Sequence, residues 1–185
     1  MTNTRKMATV AVLAALAFVL MLFQISVGID FFKLDFSIIP ILLALVMLDL
    51  KSSLAVLLLR SVLKLALNGR GAETLIGLPM NMTAVLVFLL AFALIWKRDK
   101  TLNRYLLASV LGTLALTAAM FLMNYFYAVP LYARFANFDI NQMVGMSKYL
   151  FSMVIPFNLL EGAIWALVFW LIYTLLQPVL KRYEK

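Results

Sequence analysis

Pro156-Phe157-Asn158-Leu159-Leu160-Glu161-Gly162-Ala163-Ile164-Trp165 sets an amide and a carboxyl side chain inside a run that is otherwise apolar and long enough to be a membrane helix. Asn158 and Glu161 stand three residues apart and share one helix face, with Trp165 two turns along it. Ionisable residues within membrane spans are costly, turn inward to a cavity or partner, and mark function by default. Asparagine alone also serves as a hydrogen bond between neighbouring helices. The carboxyl of Glu161 weighs against that blander role.

The rest of the chain has the same apolar character. Its 185 residues are 65% hydrophobic and 13% charged, too apolar for a soluble domain and enough for several spans of about 20 residues. The chain has no cysteine and no histidine, which excludes disulfides, thiolate chemistry and the commonest metal ligand and general base.

Met7 to Val27 reads as the first span, and Ala8, Ala11 and Ala15 form a stripe of small side chains on it, suited to close approach by another helix, inside or outside the chain. Asp30, Lys33 and Asp35 lie among phenylalanines in a loop at the far interface. Ile38 to Leu48 makes a second span that is short for a bilayer core, with Pro40 tolerated in its first turn. A tight turn at Asp49 to Ser53 follows, with Ser52 or Ser53 as the helix cap. The third span, Leu54 to Leu67, carries Arg60 and Lys64 on one face, where like charges need partners or water. Asn68-Gly69-Arg70-Gly71 is a turn in which both glycines allow positive φ. The fourth span runs from about Glu73 to Trp96, bent or opened by Pro79, and the fifth from Tyr105 to Ala128, closed by Pro130. Val129 to Tyr149 is the longest connection, with a short interfacial helix, and Leu150 to Leu176 is the sixth span. The expected fold is all-α: one six-helix transmembrane domain covering residues 1–185, with no internal repeat.

An amino terminus inside the cell puts ten of the sixteen basic residues on the cytoplasmic side, both termini included. Their place beside anionic lipid headgroups accounts for the net charge of +8 without nucleic acid. In that orientation Lys64 and Asn124 lie about four residues from their outer helix ends, and Arg60, Asn81 and Asn158 lie roughly 10 to 12 Å deep, with Glu161 slightly deeper. Polar residues from four helices thus gather in the outer half of the membrane. An outward-facing pocket is expected, lined by aromatics among Phe31, Phe32, Tyr125, Phe157 and Trp165 and suited to a planar heterocycle with one polar edge.

Lys33-Leu34-Asp35-Phe36-Ser37-Ile38-Ile39-Pro40, Gly77-Leu78-Pro79-Met80-Asn81 and Pro156 to Gly162 resemble, in order and depth, the riboflavin-binding S components of energy-coupling factor (ECF) transporters. The resemblance covers nearly the whole chain. It implies a bacterial cell-membrane protein that captures a vitamin from outside and works with a membrane T component and two ATPase subunits. Riboflavin would be bound substrate and not cofactor, with flavin mononucleotide left open as a second ligand. Asn124, Asn158 and Glu161 are implied contacts to the uracil-like edge of the flavin, with Asn81, Lys64, Tyr125, Phe157, Trp165 and Asp35 around them. Glu161 departs from the family pattern, in which a basic residue can stand there; its carboxylate would accept from a ring N–H or pair with Lys64 or Lys148. Ala11 and Ala15, with Ala8, resemble the family's docking surface for the T component.

None of the seven glycines begins a G-x-x-x-x-G-K-[ST] loop, so ATP must be held by other subunits. Three other readings stay open: an S component for another vitamin such as thiamine, a scaffold subunit using its asparagines as interhelical glue, and an intramembrane enzyme resting on Glu161. The last lacks any nucleophile and base at evident spacing, and the chain is expected not to be an enzyme.

Overall fold

In the computed structural model, which describes residues 2–27 and 32–180, the apolar runs become helices almost throughout. Their order is α1 (Asn3–Leu22), an antiparallel ribbon of β1 (Ile25–Ser26) and β2 (Lys33–Leu34), α2 (Ile38–Met47), α3 (Leu50–Leu67), α4 (Ala72–Ala91), α5 (Leu102–Met123), α6 (Val129–Phe135), α7 (Ile140–Met143), α8 (Met146–Tyr149) and α9 (Ile155–Leu180). π-Helical turns at Phe92–Trp96, Asn124–Ala128 and Leu150–Val154 extend the long helices. Asn3–Leu22, Ala72–Trp96, Leu102–Phe135 and Met146–Leu180 are each long and apolar enough to cross a membrane. The fold is therefore a nearly all-helical, multi-pass membrane bundle. Its departure from an all-α chain is the ribbon, where Ile25 pairs with Leu34 and Ser26 with Lys33; this pairing ends the first helix at Leu22 instead of Val27.

α2 is the hub. Its 10 residues span only about 15 Å, and Ile38 to Val46 are buried on every side against α1, α3, α4 and α9. A helix that is apolar all round belongs in an interior, and α2 needs no lipid-facing stripe. Asp49 caps α3, accepting from the Ser52 N–H at 2.8 Å and from Lys6 Nζ at 2.5 Å. The cap is thus the aspartate and not either serine, because a carboxylate just before the helix reaches the free amides and also meets the helix dipole. Gly71 has φ of 62° at the start of α4, whereas Gly69 does not adopt positive φ.

The prolines loosen helices without ending them. Pro79 has no N–H for the Leu75 carbonyl, which instead accepts from the Tyr127 hydroxyl at 3.2 Å. Pro130 opens α6, so the helical path runs on to Phe135 instead of closing at Ala128. α9 likewise passes through Pro178 to Leu180. The π-turns at Asn124–Ala128 and Leu150–Val154 immediately precede Pro130 and Pro156, whose missing donors leave carbonyls that cannot make the ordinary i→i−4 bond.

The end of the bundle away from the ribbon is closed by aromatic packing. Trp96 meets Tyr105 and Tyr173 edge-on at 5.2 and 4.9 Å, and the Tyr105 hydroxyl donates to the Ala166 carbonyl at 2.6 Å, tying α5 to α9. At the ribbon end a smaller cluster of Phe32, Val129, Ile140, Tyr149, Leu150 and Val154 forms a roof. The cavity lies beneath this roof.

Candidate functional site

A cavity of about 270 Å³ lies between α4, α5 and α9 at the ribbon end, with further wall from α1, β2, α3 and α6 to α8. That is close to the roughly 300 Å³ at which small-ligand sites begin. Asn81, Asn124, Asn158, Glu161, Lys64 and Phe157 all reach its wall, brought together from α3, α4, the π-turn after α5, and α9.

The amides are held in fixed orientations. Asn124 Nδ2 donates to the Met120 carbonyl at 2.8 Å, and its Oδ1 accepts from the Tyr149 hydroxyl at 2.7 Å. Asn158 Nδ2 donates to the Val154 carbonyl at 2.7 Å. A carbonyl only accepts, so the nitrogen of each side chain must face it; each amide keeps one N–H and spare oxygen lone pairs for a ligand. Asn81 donates through Nδ2 to Asp35 Oδ2 at 3.1 Å, and its buried Oδ1 has no partner among the described residues. Glu161 is 5% exposed and forms no ion pair among the described residues. Neither lysine expected to neutralise it does so: Lys64 Nζ bonds Asn68 Oδ1 at 2.8 Å, and Lys148 is exposed on α8. Arg60, fully buried, donates to Ser37 Oγ.

One aromatic wall accompanies the amides. Phe32 stacks on Phe157 at 4.8 Å and on Tyr149 at 6.1 Å, and all three line the cavity. At the rim Lys33 pairs with Glu73 at 2.9 Å, joining the ribbon to the first turn of α4.

Three expected lining residues stand elsewhere. Tyr125 is 46% exposed and meets Phe126 edge-on at 4.8 Å, because the π-turn that aims Asn124 inward rotates its neighbour outward. Trp165 is fully buried below the cavity, donating Nε1–H to the Asp35 carbonyl at 2.9 Å with its ring edge-on to Phe88. Asp35, 1% exposed, accepts from the Ser37 N–H at 2.8 Å and from Asn81, so it anchors the segment between β2 and α2 instead of facing a ligand. Phe31, with Asp30 and the Lys181, Arg182 and Lys185 tail, lies outside the described residues. Ala8, Ala11 and Ala15 are exposed on α1, while Leu13, Ala14, Ala17 and Met21 make its inward face.

Tyr149 is among the lining residues that the sequence did not reveal, with Tyr132, Thr74, Met120 and Ile140. Its bond to Asn124 spans 25 residues, and it exists because α7 and α8 fold the long connection back over the cavity, which no local pattern announces.

A helical membrane bundle with an amide- and aromatic-lined cavity at one end defines a small-molecule-binding membrane protein. The description "ECF transporter, substrate-specific component" matches residues 5–173, and the chain belongs to that family of transporter components, which are not enzymes. It is 55% identical to the riboflavin transporter RibU of Streptococcus thermophilus over 98% of this chain and 87% of that one. It is also 37% identical to RibU of Lactococcus lactis subsp. cremoris over the full length of both, and 28% identical to the riboflavin transporter FmnP of Bacillus subtilis over 97% of this chain and 96% of that one. A solved structure described as the S component of a bacterial ECF transporter superposes with a TM-score of 0.80 at 28% identity, covering 97% of this chain and 99% of that one.

Proposed function

We propose that residues 1–185 form a single transmembrane domain that captures riboflavin from outside the cell and delivers it through an ECF-type importer. The observation that carries this reading is the cavity itself. Asn124 and Asn158, each oriented by its own helix, face the same space as the Tyr149–Phe32–Phe157 stack. A flavin offers the complement, a planar ring system to lie against aromatics and an edge of carbonyls and an N–H to exchange hydrogen bonds with amides. The names of the relatives, at up to 55% identity, point to the same vitamin.

In this reading α1, α2, α3, α4, α5 and α9 are the six helices of the transmembrane bundle, α2 being short and interior, both termini are cytoplasmic, and the cavity faces outward in the cell membrane. The excess of basic residues on the terminal side supports that orientation. Asn81 and Glu161 complete the polar wall, and Glu161 accepts from a ring N–H. Riboflavin is substrate and no cofactor is involved. A membrane T component and two ATPase subunits supply the energy. The exposure of Ala8, Ala11 and Ala15 supports a docking role for α1, since small side chains not consumed by internal packing allow close helix approach.

Titration with riboflavin, followed by quenching of flavin fluorescence, tests the reading. Saturable binding to wild-type protein and weaker binding to Asn158→Ala are expected. Tighter binding of thiamine than of riboflavin would replace the vitamin named here, and no binding of either would favour a scaffold role.

A further inference from the structure

We propose that Gly162 of α9, which lets α9 approach Thr113 of α5 closely, is a positioning residue for the cavity although it does not line it. This rests on the cavity being the vitamin site. A Cβ at Gly162 would lie 2.4 Å from Thr113 Oγ1, 2.7 Å from Cγ2 and 2.9 Å from Cβ. Rotating the threonine side chain relieves at most one of the first two conflicts, because its two heavy substituents share three staggered positions, and never the third, because Cβ does not move with χ1. A methyl group at position 162 therefore has to push the two helix backbones apart.

The consequence falls on the cavity because of where Gly162 sits. It follows Glu161 directly and lies four residues after Asn158, one turn along the same face of α9. α5 carries Asn124 at its end. Thr113 stands eleven residues before Asn124 along α5, about 16 Å, whereas Gly162 is one turn from Asn158, so a displacement of α9 here moves Asn158 and Glu161 most directly, and interior packing transmits it instead of absorbing it. Recognition by oriented hydrogen bonds is sensitive to displacements of about 1 Å.

Gly112 supplies an internal control on α5. A Cβ there would lie 3.2 Å from Ala91 Cβ and 3.4 Å from Phe88 Cδ2, so α4 and α5 need give by only a few tenths of an ångström. The same added methyl group should therefore cost much less.

The test compares Gly162→Ala, Thr113→Gly, their combination and Gly112→Ala, measuring riboflavin Kd and the unfolding temperature in detergent. Gly162→Ala should weaken binding by about tenfold or more, and Thr113→Gly in the same protein should restore it to within about threefold of wild type. Gly112→Ala should stay within about threefold of wild type, and Thr113→Gly alone is the reference against which the double variant is read. An unchanged Kd in Gly162→Ala, a lowered unfolding temperature with Kd intact, or a binding loss that Thr113→Gly does not recover would each overturn the proposal. If Gly162→Ala yields no folded protein, recovery of folded, binding protein in the double variant supports the proposal and failure to recover overturns it. Asn158→Ala separates the two levels: unchanged affinity there sinks the site assignment, whereas weakened binding there with a normal Gly162→Ala sinks only this inference.

Discussion

Replacing Asn158 by alanine probes the polar wall with little collateral damage. The side chain is 3% exposed, and its one described hydrogen bond is to the Val154 carbonyl one turn back on its own helical path. Deleting it breaks no described hydrogen bond between helices, and the space it leaves merges with a cavity of about 270 Å³ that already exists. The stability cost should therefore be small compared with the 2 to 5 kcal/mol typical of a new void in a packed core. The binding cost is different, because a flavin seated in the cavity keeps polar edge groups buried with nothing to pair them. That penalty is about 1 to 3 kcal/mol, or roughly 5- to 150-fold in Kd. Asn124→Ala should behave similarly for the ligand, but it also strands the Tyr149 hydroxyl and should unfold more readily. Flavin fluorescence quenching gives the affinities and a thermal scan in detergent gives the stabilities. Unchanged affinity in both variants would refute the assigned pocket, and loss of folded protein in both would return the asparagines to the role of interhelical glue.

Tyr149→Phe keeps the ring against Phe32 but removes the donor to Asn124 Oδ1; riboflavin binding should weaken by about 0.5 to 1.5 kcal/mol, and the loss should vanish in an Asn124→Ala background when a double-mutant cycle is run. Ala11→Trp or Ala15→Trp on the exposed face of α1 should leave riboflavin affinity intact and abolish co-purification with the T component and ATPases, because an indole separates the backbones; normal assembly in both variants would move the docking surface elsewhere. The hydrogen bond from Lys6 and those from Ser52 hold the Asp49 carboxyl at about 2, below its ordinary value of 3.8. A lowered folded-state value means that the stabilisation is complete above about pH 4 and is lost as pH falls from about 4 to 2, so Asp49→Asn should flatten that part of a stability profile. The effect should be small and should shrink with added salt, since the Lys6 and Asp49 side chains are 39% and 41% exposed.

The bundle was legible because a membrane span announces itself through length and apolarity, and the depth of Asn81, Asn124, Asn158 and Glu161 along their helices was enough to bring them to one cavity. Side-chain direction was less legible where the helix changed period. Tyr125 follows Asn124 immediately, and the turn of π-helix decides which of the two points inward. Trp165 fell on the polar face by simple counting, yet it donates to a backbone carbonyl that the segment before α2 brings from 130 residues away. The same distance hid the role of Asp35, whose neighbours in sequence suggested a wet loop. Pro79 was expected to bend the fourth span or free a carbonyl; the Leu75 carbonyl is freed, and the hydroxyl that fills it belongs to Tyr127, which the π-turn after α5 brings against α4.

The most direct measurement of the central claim is equilibrium titration of the detergent-purified protein with riboflavin, with thiamine as competitor and the Asn124→Ala/Asn158→Ala double variant alongside. The account predicts saturable flavin quenching in the wild type, no displacement by excess thiamine, and a loss of affinity in the double variant larger than in either single one. Absence of saturable binding, displacement by thiamine, or wild-type affinity in the double variant would contradict it.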